Sequence, residues 1–518
     1  MSVESSSPGS LYGRLAFMGI LAIALGLRVW GLGQPSLDID EYLHVFAAQS
    51  LNEAGQPRLP SGNLYTRSLP YTWLVAQSFR WFGTSDASAR WPSVVIDLVG
   101  LCLIYGFTRR WIGEAAALLT AGILATAPWW ILAAKNCRMY TLFHAGMIAA
   151  AWATWESLEG PRHRRWLWAA VATGVWALTI IVHSLAQTFV ISVGLFILGQ
   201  AFLTGDLRYR VLSGLGVIAV AAMLGLGLID PVKLWADINT VPNWAAWARY
   251  DWGFYLRRWW AVYPTILIAY PISLWWLWRR DQALAWYLIC IGTVLFLLHS
   301  FVFDWKTPRY VLYLLPWLIM PVAAMVGHWL TLLRVSRRLS ATVAATALLL
   351  LVLNPWIWEV GTASQQFPAP PWRSCYTWLA RRLGSQDVVL TSMPLATLHY
   401  LGRPASYVMN NVHVDNAGFP AVRRPTDGLY VDGYAGRPMV TSLDELKTVI
   451  RQNPRGWILI DQIRLNSAHA VPPAVRDYIQ ARLEPVPAID GDEGQNQVIV
   501  YRWDERVRQA ALGMARSG

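Results

Sequence analysis

Asp40 and Glu41 stand side by side, with Asp38 two residues before and His44 three residues after. A carboxylate within hydrogen-bond reach of a hydroxyl can take its proton as the hydroxyl attacks, and Asp40 is the candidate for that work. The same spacing allows a structural reading in which Asp40 caps a helix beginning at Glu41, since aspartate is among the preferred N-cap residues. Glu41 and His44, three apart on a helix, share a face and either orient each other or hold a divalent cation; two visible ligands favour the pair without metal. No cofactor is fixed by these residues, and a divalent cation stays open.

A second set of residues is basic. Arg28, Arg67, Arg90, Lys135, Arg138, Lys306 and Arg309 all fall at the same ends of long apolar segments as the acidic pair. Arg138 sits in Asn136-Cys137-Arg138-Met139-Tyr140, and Arg309 in Lys306-Thr307-Pro308-Arg309-Tyr310. Guanidinium groups match phosphate oxygens in bidentate geometry and stabilise charge that grows as a phosphate leaves. Tyr65 and Tyr140 are neighbours of these cations in sequence. The alternative is snorkelling to lipid headgroups, which suits Arg257, Arg258 and Lys233.

The elements that must position these groups are membrane helices. The 518 residues are 55% hydrophobic and 14% charged, with mean hydropathy +0.34, too little polar surface for one soluble globule. The formal charge of +12 is spread between apolar runs, which does not suit a nucleic-acid face. Windows of bilayer length fall near 13–32, 92–108, 114–134, 141–157, 166–183, 185–203, 211–229, 261–278, 283–301, 310–330 and 341–358, about eleven spans. Arg109-Arg110, Arg162 to Arg165, Arg208 with Arg210, Arg279-Arg280 and Arg334 with Arg337-Arg338 mark alternate connections as cytoplasmic. The N-terminus is then cytoplasmic, the acidic pair lies outside, and an odd number of spans leaves the C-terminal region outside as well. Neither an internal repeat nor a charged or broken segment at mid-membrane is visible.

Two domains are expected: residues 1–358, a transmembrane catalytic domain whose outer loop 33–91 carries amphipathic helices, and residues 359–518, a soluble α/β domain. In the latter, 378–383, 443–452 and 475–483 read as helices and 387–391, 457–461 and 497–503 as strands. Cys102, Cys137, Cys290 and Cys375 form no CxxC spacing, so neither a zinc ribbon nor a disulfide framework is indicated.

The run LDIDEYLHVFAAQSL, followed by YTRSLPYTWL, FGTSDASARWPSV, APWWILAAKNCRMYTL and TPRYVLYLLPW, resembles the bacterial protein O-mannosyltransferase-like and aminoarabinose-transferase-like branch of the glycosyltransferase-C superfamily, through much of residues 10–330. The resemblance implies an inverting transferase of the bacterial plasma membrane. It moves a sugar from a polyprenyl-phosphate donor to an extracytoplasmic acceptor, which is a glycan, a lipid or a protein hydroxyl. It places Asp40 as acceptor base, Glu41 as its organising neighbour, and Arg28, Arg138 and Arg309 near the donor phosphate. Where relatives carry Lys-Pro-Pro, this chain has Arg67-Ser68-Leu69-Pro70, with Arg67 in place of the lysine. A transporter or flippase of polyprenyl-linked sugars is the alternative, and a noncatalytic scaffold leaves Asp40 and the outer cations unexplained.

Overall fold

The computed structural model describes residues 11–227, 230, 232, 233, 236, 239, 250–332, 370–414, 419–486 and 497–511. Its contacts group the chain into two compact units. The first holds residues up to Trp30, Ser93–Ala134 and Met139–Gly361; the second holds Gly31–Pro92, Lys135–Arg138 and Thr362–Gly518. The segment carrying Asp40 groups with the C-terminal region in the second unit.

Among the described residues, seven helices are long and apolar enough to cross a membrane: Leu11–Val29, Asp86–Trp111, Arg162–Val182, Ser184–Leu203, Leu207–Gly225, Gln282–Phe301 and Pro308–Leu330. Two bent pairs raise the number to nine. Side chains such as Leu167, Leu178 and Ile181 on one helix, and Leu215, Val217 and Ile218 on another, are exposed, which in water would leave large apolar faces uncovered. This is a polytopic helical membrane protein. The helix Tyr140–Glu159 matches the expected span 141–157 in length but is largely buried and is not among the seven. The expected span 341–358 lies outside the described residues.

The bends correct the expectation of unbroken spans. Glu114–Thr126 and Pro128–Ala134 meet at 65°, and Phe254–Val262 and Pro264–Trp278 at 105°. Both breaks fall at a proline, which lacks the amide hydrogen and drives the preceding residue out of helical conformation. Ala127 is accordingly extended (φ −64°, ψ 119°), and Tyr263 has left the helical region (φ −128°, ψ 44°).

The C-terminal part of the second unit is built on a five-stranded sheet. Its strands are β1 (Val388–Thr391), β2 (Tyr407–Val408), β5 (Gly456–Asp461), β6 (Glu484–Pro485) and β7 (Val498–Trp503), in the order β2-β1-β5-β7-β6. A small antiparallel ribbon of β3 (Val422–Arg423) and β4 (Tyr430–Val431) lies apart. Strands β2, β1 and β5 run parallel, while β7 pairs antiparallel to both β5 and β6. All six residues of β5 are buried, as its unbroken apolar run suits a central strand covered on both faces. A Cβ on Gly456 would meet the Trp503 ring at about 2.1 Å, so this register admits only glycine there. Leu390, Ile458, Ile460 and Trp503 pack against Leu446, Val449 and Ile450 of the helix Leu443–Gln452 and against Val475 and Ile479 of the helix Pro473–Arg482.

Candidate active site

The helix Ile39–Ala54 begins with a capping box, but the cap is Asp38, not Asp40. The Asp38 carboxylate accepts from the Ile39 amide at 2.7 Å, and Glu41 Oε2 accepts from the Asp38 amide at 2.9 Å. The D-x-x-E spacing is the sequence signature of this motif. Its consequence is chemical: Asp40 lies inside the first turn with no capping duty.

Glu41 is a buried hub. Its carboxylate accepts from Arg90 Nε at 2.8 Å and Nη2 at 2.9 Å, and from the Cys137 amide at 2.7 Å. Arg90 in turn donates to the carbonyls of Leu32, Pro35 and Ser36. Both side chains are shut off from solvent, with every Arg90 nitrogen occupied, so the pair fixes three chain segments to one another. Charge-assisted bidentate pairing of this kind is among the stronger polar contacts in proteins.

Asp40 is placed otherwise. Its carboxylate meets Arg138 Nη1 at 2.9 Å and keeps 23% of its side-chain surface open, whereas the Arg138 side chain keeps 6%. A part-exposed carboxylate and a nearly buried guanidinium are thus held together, with the Glu41 contact to Cys137 fixing the backbone next to Arg138. Lys135, three residues before Arg138, is buried; burial and the nearby Arg90 charge push its ammonium down to about 8.

His44 and Tyr65 lie close enough to feel the Asp40 charge. His44 Nδ1 lies 2.9 Å from Thr72 Oγ1, and its ring meets those of Tyr65 and Tyr71 edge-on at 5.1 and 5.0 Å. Burial, then the Arg138 charge, holds His44 well below the ordinary histidine range, so it is an uncharged imidazole at neutral pH. Burial raises the Tyr65 phenol, which stays protonated. Glu41 faces Arg90 and the Cys137 amide, and His44 faces Thr72. Among the described residues no group of three or more His, Cys, Asp or Glu gathers as a metal site. Arg67 is exposed, and its charge is felt by both His44 and Tyr65. The next residue, Ser68, has φ 51°, a left-handed conformation rare outside glycine, at the start of the helix Leu69–Phe82.

The remaining expected residues belong to the first unit. Arg28 is fully buried and donates through Nε to Asp97 and through Nη1 to the carbonyls of Ala24 and Ala125, a tie between helices. Arg309 lies 5.5 Å from the centre of the Tyr140 ring and 6.0 Å from that of Tyr310. Lys306 is buried, donates to the Phe303 carbonyl at 2.9 Å, and is pushed down by burial.

Residues that the sequence does not single out complete the second unit. Asp86 receives Tyr400 Oη at 2.7 Å, His399 Nε2 at 2.8 Å and the guanidinium of Arg373. Tyr400 Oη accepts from the Leu37 amide at 3.0 Å, and Arg373 reaches the Gly33 carbonyl at 2.7 Å. The C-terminal region is thereby fastened to the residues immediately before Asp40. Their separation of more than three hundred positions leaves no local signal.

A buried frame thus presents one part-exposed carboxylate beside a guanidinium, on a polytopic membrane fold. That fold is of the glycosyltransferase-C type. The chain is similar to ArnT from Cupriavidus metallidurans in the apo state (TM-score 0.57, 13% identity, covering 95% of this chain and 98% of that one). It is also similar to the same protein bound to undecaprenyl phosphate (TM-score 0.54, 15% identity, 94% and 97% covered). The archaeal oligosaccharyltransferase AglB from Archaeoglobus fulgidus, solved with an inhibitory peptide and a dolichol-phosphate, aligns at TM-score 0.57 and 9% identity over 97% of this chain and 77% of that one. Residues 67–235 match the family described as dolichyl-phosphate-mannose-protein mannosyltransferase. No curated protein sequence matches the chain.

Proposed function

We propose that the protein transfers a sugar from a polyprenyl-phosphate donor to an acceptor hydroxyl, with inversion at the anomeric carbon. Asp40 takes the hydroxyl proton, the oxygen forms a bond to the anomeric carbon from the face opposite the phosphate, the carbon–oxygen bond to phosphate breaks, and the lipid phosphate leaves as the anion. Arg138, beside Asp40, meets the departing phosphate, and exposed Arg67 adds charge to the same unit. The observation that carries this reading is the pairing of a part-exposed Asp40 with Arg138 in a helical turn whose other acid, Glu41, is wholly occupied in fixing the frame. The fold supports it: relatives of this fold were solved with undecaprenyl phosphate and with dolichol-phosphate.

Arg28 is left out of the phosphate set because its guanidinium is buried against Asp97. Arg309 and Lys306, with Tyr140, stay as donor-side candidates of the first unit. The cell location that fits is a bacterial plasma membrane, with the N-terminus cytoplasmic and the Asp40 unit outside, where lipid-linked rather than nucleotide-linked sugars are at hand.

Transport of polyprenyl-linked sugars is the second reading, and the two spans broken at Pro128 and Pro264 favour it, since transporters commonly use discontinuous helices. Incubating the purified protein in lipid vesicles with a panel of labelled polyprenyl-phosphate sugars and cell-envelope extract separates the two. Release of free polyprenyl phosphate together with a labelled acceptor is the expected result; movement of intact donor between leaflets without release would replace transfer by transport.

A further inference from the structure

The helix Ile39–Ala54 has a second working face. Phe46, Gln49, Ser50 and Glu53 follow the spacing i, i+3, i+4, i+7 and so lie on one side, away from Asp40. They line a cavity of about 580 Å³ in the second unit. Arg58, Leu59 and Pro60 form another wall, Thr84 and Ser85 a third, and Leu398 and His399 the last. The volume falls within the range of about 300–1,000 Å³ usual for small-ligand sites.

The walls are pinned. Arg58 donates from Nη1 to the Gly62 carbonyl at 2.7 Å and from Nε to Gln56 at 2.9 Å. Ser85 is tied to Ser88 through its amide and hydroxyl, both at 2.9 Å. His399 is held by Asp86 through Nε2 and meets the Phe46 ring edge-on at 6.3 Å.

The chemistry of this lining selects a ligand class. An amide, three hydroxyls, a carboxylate, a guanidinium and an imidazole offer donors and acceptors together, and one aromatic ring offers an apolar face. One acid against one arginine leaves little net charge, which disfavours a phosphate-rich ligand. The apolar residues are too few for a lipid chain. We propose that the groove binds a neutral, hydroxyl-rich glycan, the part of the acceptor remote from the hydroxyl that Asp40 serves. This rests on the transferase reading above and deepens it by naming the acceptor class.

The test is saturation-transfer NMR and calorimetry on the full-length protein in detergent micelles, with neutral oligosaccharides as probes and serine/threonine peptides for comparison. The expected result is oligosaccharide binding that weakens at least tenfold in Phe46→Ala/Gln49→Ala and in Glu53→Ala, both at an unchanged unfolding midpoint, and that persists in Asp40→Asn. No oligosaccharide binding, binding indifferent to both variants, or binding by peptides alone would overturn the proposal. If glycan binds here while no donor ever releases lipid phosphate, the transferase reading fails and the groove stands; release to acceptor without glycan binding gives the reverse.

Discussion

Two ion pairs leave the same helix turn from adjacent residues and end in different states. Glu41–Arg90 is closed to solvent and saturated with hydrogen bonds, whereas Asp40–Arg138 keeps its carboxylate part-exposed. The first is shut away from any substrate, and the second keeps part of its carboxylate surface accessible. Adjacent acids are thus set in different surroundings within one helical turn, with Asp38 taking the cap, and the proposed transfer makes Glu41 the frame and Asp40 the reagent.

That division predicts opposite signatures for opposite pairs. Arg90→Ala leaves Glu41 charged in a closed site, and breaking a buried pair in this way costs about 3–5 kcal/mol. Unfolding in detergent should therefore show a large fall in midpoint, with activity lost alongside it; an unchanged midpoint would remove the pair from the frame. Arg138→Ala should leave the midpoint nearly in place and lower kcat/KM for donor about 10- to 100-fold, the worth of one or two charge-assisted hydrogen bonds at about 1.5–3 kcal/mol. Arg138→Lys should recover part of it, and recovery in neither donor KM nor kcat would argue against a phosphate contact. Asp38→Ala should cost about 1 kcal/mol through the lost cap. A loss of activity far beyond the share of unfolded protein would mean that Asp38 also acts in the chemistry.

Lys135 sharpens the comparison by pH. Its folded value is about 8 against an ordinary 10.5, so between these pH values the unfolded chain holds a proton that the folded chain has released. Stability then rises with pH across that window, and below about 8 the cost of the buried charge is present in full. The midpoint of the native protein relative to Lys135→Met should climb between pH 8 and pH 10. A constant difference would place Lys135 in an ordinary solvated setting.

Much of this was legible in the sequence, for reasons that particular residues make plain. The carboxylates, the apolar spans and the strands GWILID and VIVYRW announce themselves by composition and period. The helix 443–452 appears at its expected bounds because Ser442 and Glu445 form a local capping box. Asp38 and Glu41 form the same box, so the cap was readable there too, but an adjacent Asp40 competes for the assignment. The bends at Pro128 and Pro264 follow local backbone rules that hydropathy windows average away. What no window could show is non-local: Arg90 choosing Glu41, Arg28 choosing Asp97, and Asp86 gathering Arg373, His399 and Tyr400.

The proposed transfer turns on Asp40, and the direct measurement is turnover of a polyprenyl-phosphate sugar by Asp40→Asn beside the native protein, with unfolding midpoints recorded on the same preparations. A general base of this kind contributes about 10²- to 10⁴-fold, so turnover should fall by that amount while the midpoint stays in place. Equal turnover by the two proteins, or a collapse of the midpoint like that expected for Arg90→Ala, would contradict the assignment of Asp40 as reagent and Glu41 as frame.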